Sequence, residues 1–196
     1  MKQFILSCMV AACLLSACNN NKKTVEVTSE DGKEKVTVDM DQMQKAAEEM
    51  KKQSEELQKL PPLSLDELKA LLPEQLMTAK RTNFQTTSAT GAGLAHAEYK
   101  LNDSTELEVN IYDCGGPGGA GIYNMQYMGM MNFQSESEDE YTKTIDFMGQ
   151  KAFEHCNKND NRCTLTYFTG KRFLVAIEGR NIHPDGLKQA AKDLKL

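Results

Sequence analysis

The chain has 196 residues, 26% charged and 40% hydrophobic, with a formal net charge of −5. That length and balance suit one globular domain with a tail. The acidic balance argues against nucleic acid, which needs clustered Lys and Arg. The absence of Trp, with aromatics at 7%, argues against an aromatic-lined sugar or base-stacking site.

The first element is an export signal. Lys2 supplies a positive start, and the stretch from Phe4 to Leu14 is apolar and uncharged. It is too short to span a bilayer comfortably and has the length of a signal-peptide core. It ends in Leu15-Ser16-Ala17-Cys18, followed by the polar run Asn19-Asn20-Asn21-Lys22-Lys23. Those four residues resemble the lipobox of bacterial lipoproteins: a branched apolar residue, two small ones, then the cysteine. The resemblance covers the first 18 residues and implies three steps. Diacylglycerol is attached to Cys18 as a thioether, residues 1–17 are removed, and the new amino terminus is acylated. Several acyl chains are needed because each buried methylene contributes about 0.8 kcal/mol, so that one chain anchors only reversibly. Asn19 is not the aspartate that retains enterobacterial lipoproteins at the inner membrane. By the same resemblance the chain is anchored through Cys18 to the outer membrane, facing the periplasm or the cell surface.

Residues 18–23 read as a lipidated tether. Residues 24–60 read as a hairpin followed by an amphipathic helix. Thr24 to Thr28 and Lys35 to Val38 alternate around Glu30-Asp31-Gly32-Lys33, and the Asp-Gly pair suits a hairpin turn. Asp41 to Leu60 is rich in helix formers. Met40, Met43, Ala47, Met50, Ser54 and Leu57 recur at steps of three and four, a thin heptad seam. That seam fits a spacer helix lying on the domain or a short coiled coil. Pro61-Pro62 stops the helix, and the α+β domain is expected to span 61–196. Ser64-Leu65-Asp66-Glu67 has the form of a capping box.

Strands are expected at Leu94 to Leu101 and Glu106 to Tyr112, joined through Asn102-Asp103. A helix is expected from Ile122 to Phe133, and an acidic loop from Gln134 to Glu140. Three more strands follow: Thr142 to Met148 or Lys151 to Cys156, then Arg162 to Phe168, then Phe173 to Glu178. Asp185 would cap a last helix to about Leu194. The expected fold class is α+β, an antiparallel sheet of about five strands with helices packed on one face. That order of elements resembles small periplasmic domains of the PsbP and Mog1 type, in element order alone.

The chemistry-bearing residues give weaker expectations. Cys156 and Cys163 flank an Asn-rich turn and would form a structural disulfide in an oxidising compartment. Cys114 lies at a strand end before glycines. It is a buried, inert thiol, an alternative disulfide partner, or a nucleophile with His96 or His155 as base, which would make the protein a thiol enzyme. Gly115, Gly116, Gly118 and Gly119 belong to a flexible connection that would also admit a ligand closely. The phosphate-loop reading fails because Ile122-Tyr123 follow the last glycine in place of Lys-Ser/Thr. Met125, Met128 and Met130 offer soft thioethers suited to Cu(I), or ordinary apolar filler. The three His are scattered without ligand spacing. No catalytic template and no cofactor emerges. The expectation is a non-enzymatic envelope lipoprotein that binds a partner protein or a small apolar ligand.

Overall fold

A computed structural model describes residues 24–28, 35–89, 91–127 and 133–196. Cys18, the hairpin turn at 30–33, Met128 and Met130 lie outside them. By packing the chain divides between Ala46 and Ala47. In the first unit, β1 (Thr24–Thr28) pairs antiparallel with β2 (Lys35–Asp39), Val25 opposite Val38 and Val27 opposite Val36. Helix α1 (Met40–Lys59) follows without a break.

From Ala47 on, the second half of α1 packs on the sheet. Met50 is partly buried there, and Ser54 and Leu57 are buried. The lower part of the heptad seam therefore faces its own domain. Next come α2 (Leu65–Ala70), β3 (Gln75–Leu76), β4 (Ala79–Ala89), β5 (Ala92–Lys100), β6 (Glu106–Asp113) and α3 (Gly116–Tyr127). The remainder is β7 (Gln134–Glu136), β8 (Glu140–Phe147), β9 (Gln150–Asn157), β10 (Arg162–Thr169), β11 (Phe173–Arg180) and α4 (Pro184–Asp193). The α2 capping box forms as its sequence requires: Ser64 Oγ accepts from Glu67 N, and Glu67 Oε2 accepts from Ser64 N.

The expected sheet of about five strands with helices on one face is wrong. One antiparallel sheet of nine strands runs in the order β3-β4-β5-β6-β11-β10-β9-β8-β7, so the domain is mostly β. Helices lie on both of its faces. The period of two divides the strands cleanly. One face carries Tyr99, Ala97, Ala95, Leu107, Val109, Ile111, Ile177, Val175, Leu165 and Tyr167, and α2, the turn after it and α4 cover it with Leu68, Leu72, Leu187, Ala190 and Ala191. The opposite face carries Tyr112, Leu174 and Phe168 at one end. There Leu57 of α1 and Ala120 and Tyr123 of α3 close over them. Tyr123 and Phe168 rings meet at 4.8 Å between centroids.

Two expectations at the turns also change. Thr142–Met148 and Lys151–Cys156 are not alternatives, because both stretches are strands, joined by the two-residue turn Met148-Gly149 with φ of 49° and 78°. Positive φ at both positions is the turn that fits the right-handed twist of the strands. The glycine-rich stretch is not a flexible connection: α3 begins at Gly116. A Cβ on Gly119 would come within 2.5 Å of the Asp113 and Cys114 backbone. The glycine lets the helix press onto the end of β6.

Candidate functional site

Three arrangements hold the domain's polar chemistry. The first is a knot at the end of β6. Asp113 is fully buried, and its carboxylate accepts from Arg172 Nε at 2.7 Å, Leu63 N at 2.8 Å and Gly115 N at 2.9 Å. Arg172 also donates from Nη2 to Pro61 O at 2.6 Å. Here the chain leaves α1 on one face of the sheet and enters α2 on the other. Pro61-Pro62 is that crossing point, and the ion pair ties it to the β10–β11 turn. Burial alone would raise the Asp113 carboxyl. Arg172 and the two backbone N–H groups outweigh it and hold the carboxyl below its ordinary value.

The second arrangement is also a staple. Glu154 on β9 is 2% exposed. Lys143 Nζ and Tyr141 Oη reach its Oε1, and Lys188 Nζ of α4 reaches Oε2, each at 2.9 Å. Desolvation opposes the charge, yet the two ammonium groups and the tyrosine hold the carboxyl down. Burial and the neighbouring Glu154 push Tyr141 up to about 12. Both arrangements are closed: each carboxylate oxygen already faces a partner of this chain.

The third is open. On the face that α1 and α3 cover at one end only, the register places Glu98, Glu108 and Glu178 side by side on β5, β6 and β11. Thr164, His155 and Thr142 continue the same row across β10, β9 and β8. In the adjoining row stand Gln85, His96, Asn110, Ala176, Thr166, Phe153 and Thr144. His96 Nδ1 lies 3.0 Å from Asn110 Oδ1 and 3.6 Å from Glu108, while Nε2 lies 3.6 Å from Glu98. Asn110 Nδ2 donates to Glu108 at 3.0 Å, and Glu178 pairs with Arg162. Thr142 Oγ1 meets His155 Nδ1 at 2.9 Å. Carboxylates directly opposite one another on neighbouring strands repel, whereas opposite charges would attract. The side chains of Glu98, Glu108 and Glu178 remain 51%, 45% and 32% exposed. The row on the other side holds Lys100, Glu106, Arg180 and Arg162, so the face carries both signs and can accept hydrogen bonds and attract positive charge at its carboxylates.

The sequence-derived candidates are distributed elsewhere. Cys156 and Cys163 face each other across β9 and β10 and are disulfide-bonded, as expected. Cys114 is fully buried between Leu57, Tyr123 and Leu174, and burial pushes its thiol up to about 12. A thiolate nucleophile at neutral pH does not fit that position. His96 stands three registers along β5 and β6 from Asp113 and bonds Asn110, and His155 bonds Thr142; neither touches the Cys114 thiol. Met125 is 81% exposed, so it shares no site with the buried Cys114. Gly115, Gly116 and Gly119 are buried around the Asp113 knot, where the close approach is made by the chain's own groups: Arg172, Pro62 and the Asp113–Cys114 backbone. His183, not Asp185, caps α4, its Nδ1 accepting from Asp185 N. Asp146 pairs with Lys151 at 2.8 Å. Among the described residues no group of three His, Cys, Asp or Glu is placed to hold a metal ion. None of their helices is long and apolar enough to cross a membrane. The carboxylate row was missed because alternation marks which residues share a face but not which strands are neighbours. β6 pairs with β11, with partners such as Phe173 and Asp113 far apart in sequence. No family model, curated protein or solved structure matches the chain.

Proposed function

We propose that this chain is an envelope lipoprotein, held to the outer membrane by lipid on Cys18, whose sheet domain is a binding module. Its working surface is the open face with Glu98, Glu108, Glu178 and His96, and its partner presents basic or hydroxyl groups rather than apolar ones. The observation that carries this reading is the carboxylate row. Three like charges at one register cost stability, and departures from local stability rules concentrate at functional surfaces. The four residues Leu15 to Cys18 support the anchor, and burial of Cys114 supports a non-enzymatic role over a thiol enzyme.

Two readouts on the full-length chain made in a bacterium test the proposal. Labelling with radioactive palmitate should mark the chain and be lost in Cys18→Ser, which should also leave the membrane fraction. Native mass spectrometry of chain extracted from membranes should show a bound partner that Glu98→Gln/Glu108→Gln no longer carries. Unlabelled wild-type chain would end the anchor reading. A partner retained by the double variant would end the open-face reading.

A further inference from the structure

The two edges of the nine-stranded sheet are built differently. β7 is three residues long and is followed by acidic residues, with Glu136, Glu138, Asp139 and Glu140 within five positions. Two copies meeting there would bring like charges together. The other edge is nearly bare. β3 pairs only with Ala79 and Lys80 of the eleven-residue β4. From Thr82 to Ala89 no described strand lies along the outer side of β4, and Thr82, Asn83, Phe84, Gln85, Thr87 and Ser88 are exposed. That stretch reads Thr-Asn-Phe-Gln-Thr-Thr-Ser-Ala, with no charge and no proline. Charge, proline and bulges are the devices that keep an edge strand from pairing. The only such device here is the irregularity between Arg81 and Asn83, at the strand's beginning.

We propose that the β4 edge, from Asn83 to Ala89, pairs antiparallel with the same edge of a second copy, joining two sheets into one. The chemistry is self-complementary: an unpaired row of N–H and C=O groups is satisfied by an identical row turned by a two-fold axis. The charges fit this partner. Antiparallel pairing centred near Thr86 carries Lys80 and Arg81 of each copy past the far end of the other's uncharged stretch. Glu98 sits one strand in from the edge. Glutamates of the two copies are then at least three strand spacings, roughly 14 Å, apart. That exceeds a Debye length of about 8 Å at physiological salt. Phe84 is 40% exposed, with Lys69 and Arg81 cations 5.0 and 4.9 Å from its ring centre, and contributes apolar area at the seam. Because the axis stands perpendicular to the sheet, the two open faces with their carboxylate rows lie on one side of the dimer.

Sedimentation equilibrium of the full chain purified in detergent tests this. Wild type should be a dimer. Gln85→Lys/Thr87→Lys should raise the dimer dissociation constant about ten-fold or more, since like charges meet across the seam. Gln85→Glu/Thr87→Glu should do the same, and an equimolar mixture of the two variants should recover a mixed dimer. Both substitutions sit at exposed positions, and unchanged melting of the variants confirms that they fold. A wild-type monomer at high concentration would overturn the proposal and leave the edge to a foreign strand. A dimer indifferent to both variants would overturn it as well.

Discussion

The two faces of the sheet treat charge in opposite ways. On the face under α2 and α4, the buried carboxylates Asp113 and Glu154 are both matched, by Arg172 in one case and by Lys143 and Lys188 in the other. On the open face, Glu98, Glu108 and Glu178 stand in one row, and among the described residues Arg162 is the one Lys or Arg paired with any of them. A buried charge left unmatched costs several kcal/mol, so a fold tolerates it only with a partner. A solvated charge among like charges costs only a few tenths, so a fold tolerates it for another reason. Stability therefore accounts for the first face and not for the second.

The sharpest way to break this contrast is Asp113→Ala. It leaves the Arg172 guanidinium and two backbone N–H groups without their acceptor, and should lower stability by about 3–5 kcal/mol in urea unfolding. A loss no larger than that of an exposed carboxylate would erase the distinction. The same carboxyl predicts the acid limit. Asp113 and Glu154 are both held below their ordinary values. Their stabilisation is thus present above about pH 4 and lost as pH falls through their folded-state values. A stability profile flat from pH 6 to pH 2 would contradict both assignments.

Removing the disulfide by Cys163→Ser should cost about 2.5 kcal/mol, because the loop it closes is short and the two residues are already neighbours in the β9–β10 register. Met148→Gly should go the other way. Met148 sits at φ 49° and is 56% exposed. Relieving that left-handed conformation should stabilise by about 1 kcal/mol. The smallest expected change is Glu108→Gln, a gain of about 0.5 kcal/mol in thermal melting, because it removes repulsion from Glu98 and Glu178.

Much of the local structure was legible. The second hairpin pair, the last two strands and the final helix follow period-two and amphipathic patterns, and the capping box at Ser64 names its own helix. β4 was not legible. Lys80-Arg81-Thr82-Asn83-Phe84-Gln85-Thr86-Thr87 has few apolar residues to alternate, because an edge strand with little cover needs few. The Met148-Gly149 turn was hidden because methionine carries no turn signal. The start of α3 was hidden because glycines are poor helix formers, and here packing against the β6 backbone overrides propensity. The site was the least legible of all. Glu98, Glu108 and Glu178 become neighbours only once the strand order is known, and the Asp113 knot joins three chain segments.

The carboxylate row is read as a binding surface held at the expense of stability. It is tested most directly by measuring, on Glu98→Gln/Glu108→Gln in the full-length chain, both the melting temperature and the rescue of a strain lacking the gene. A melting temperature raised by a few degrees together with failed rescue is the expected outcome. A lowered melting temperature, or full rescue, would contradict it.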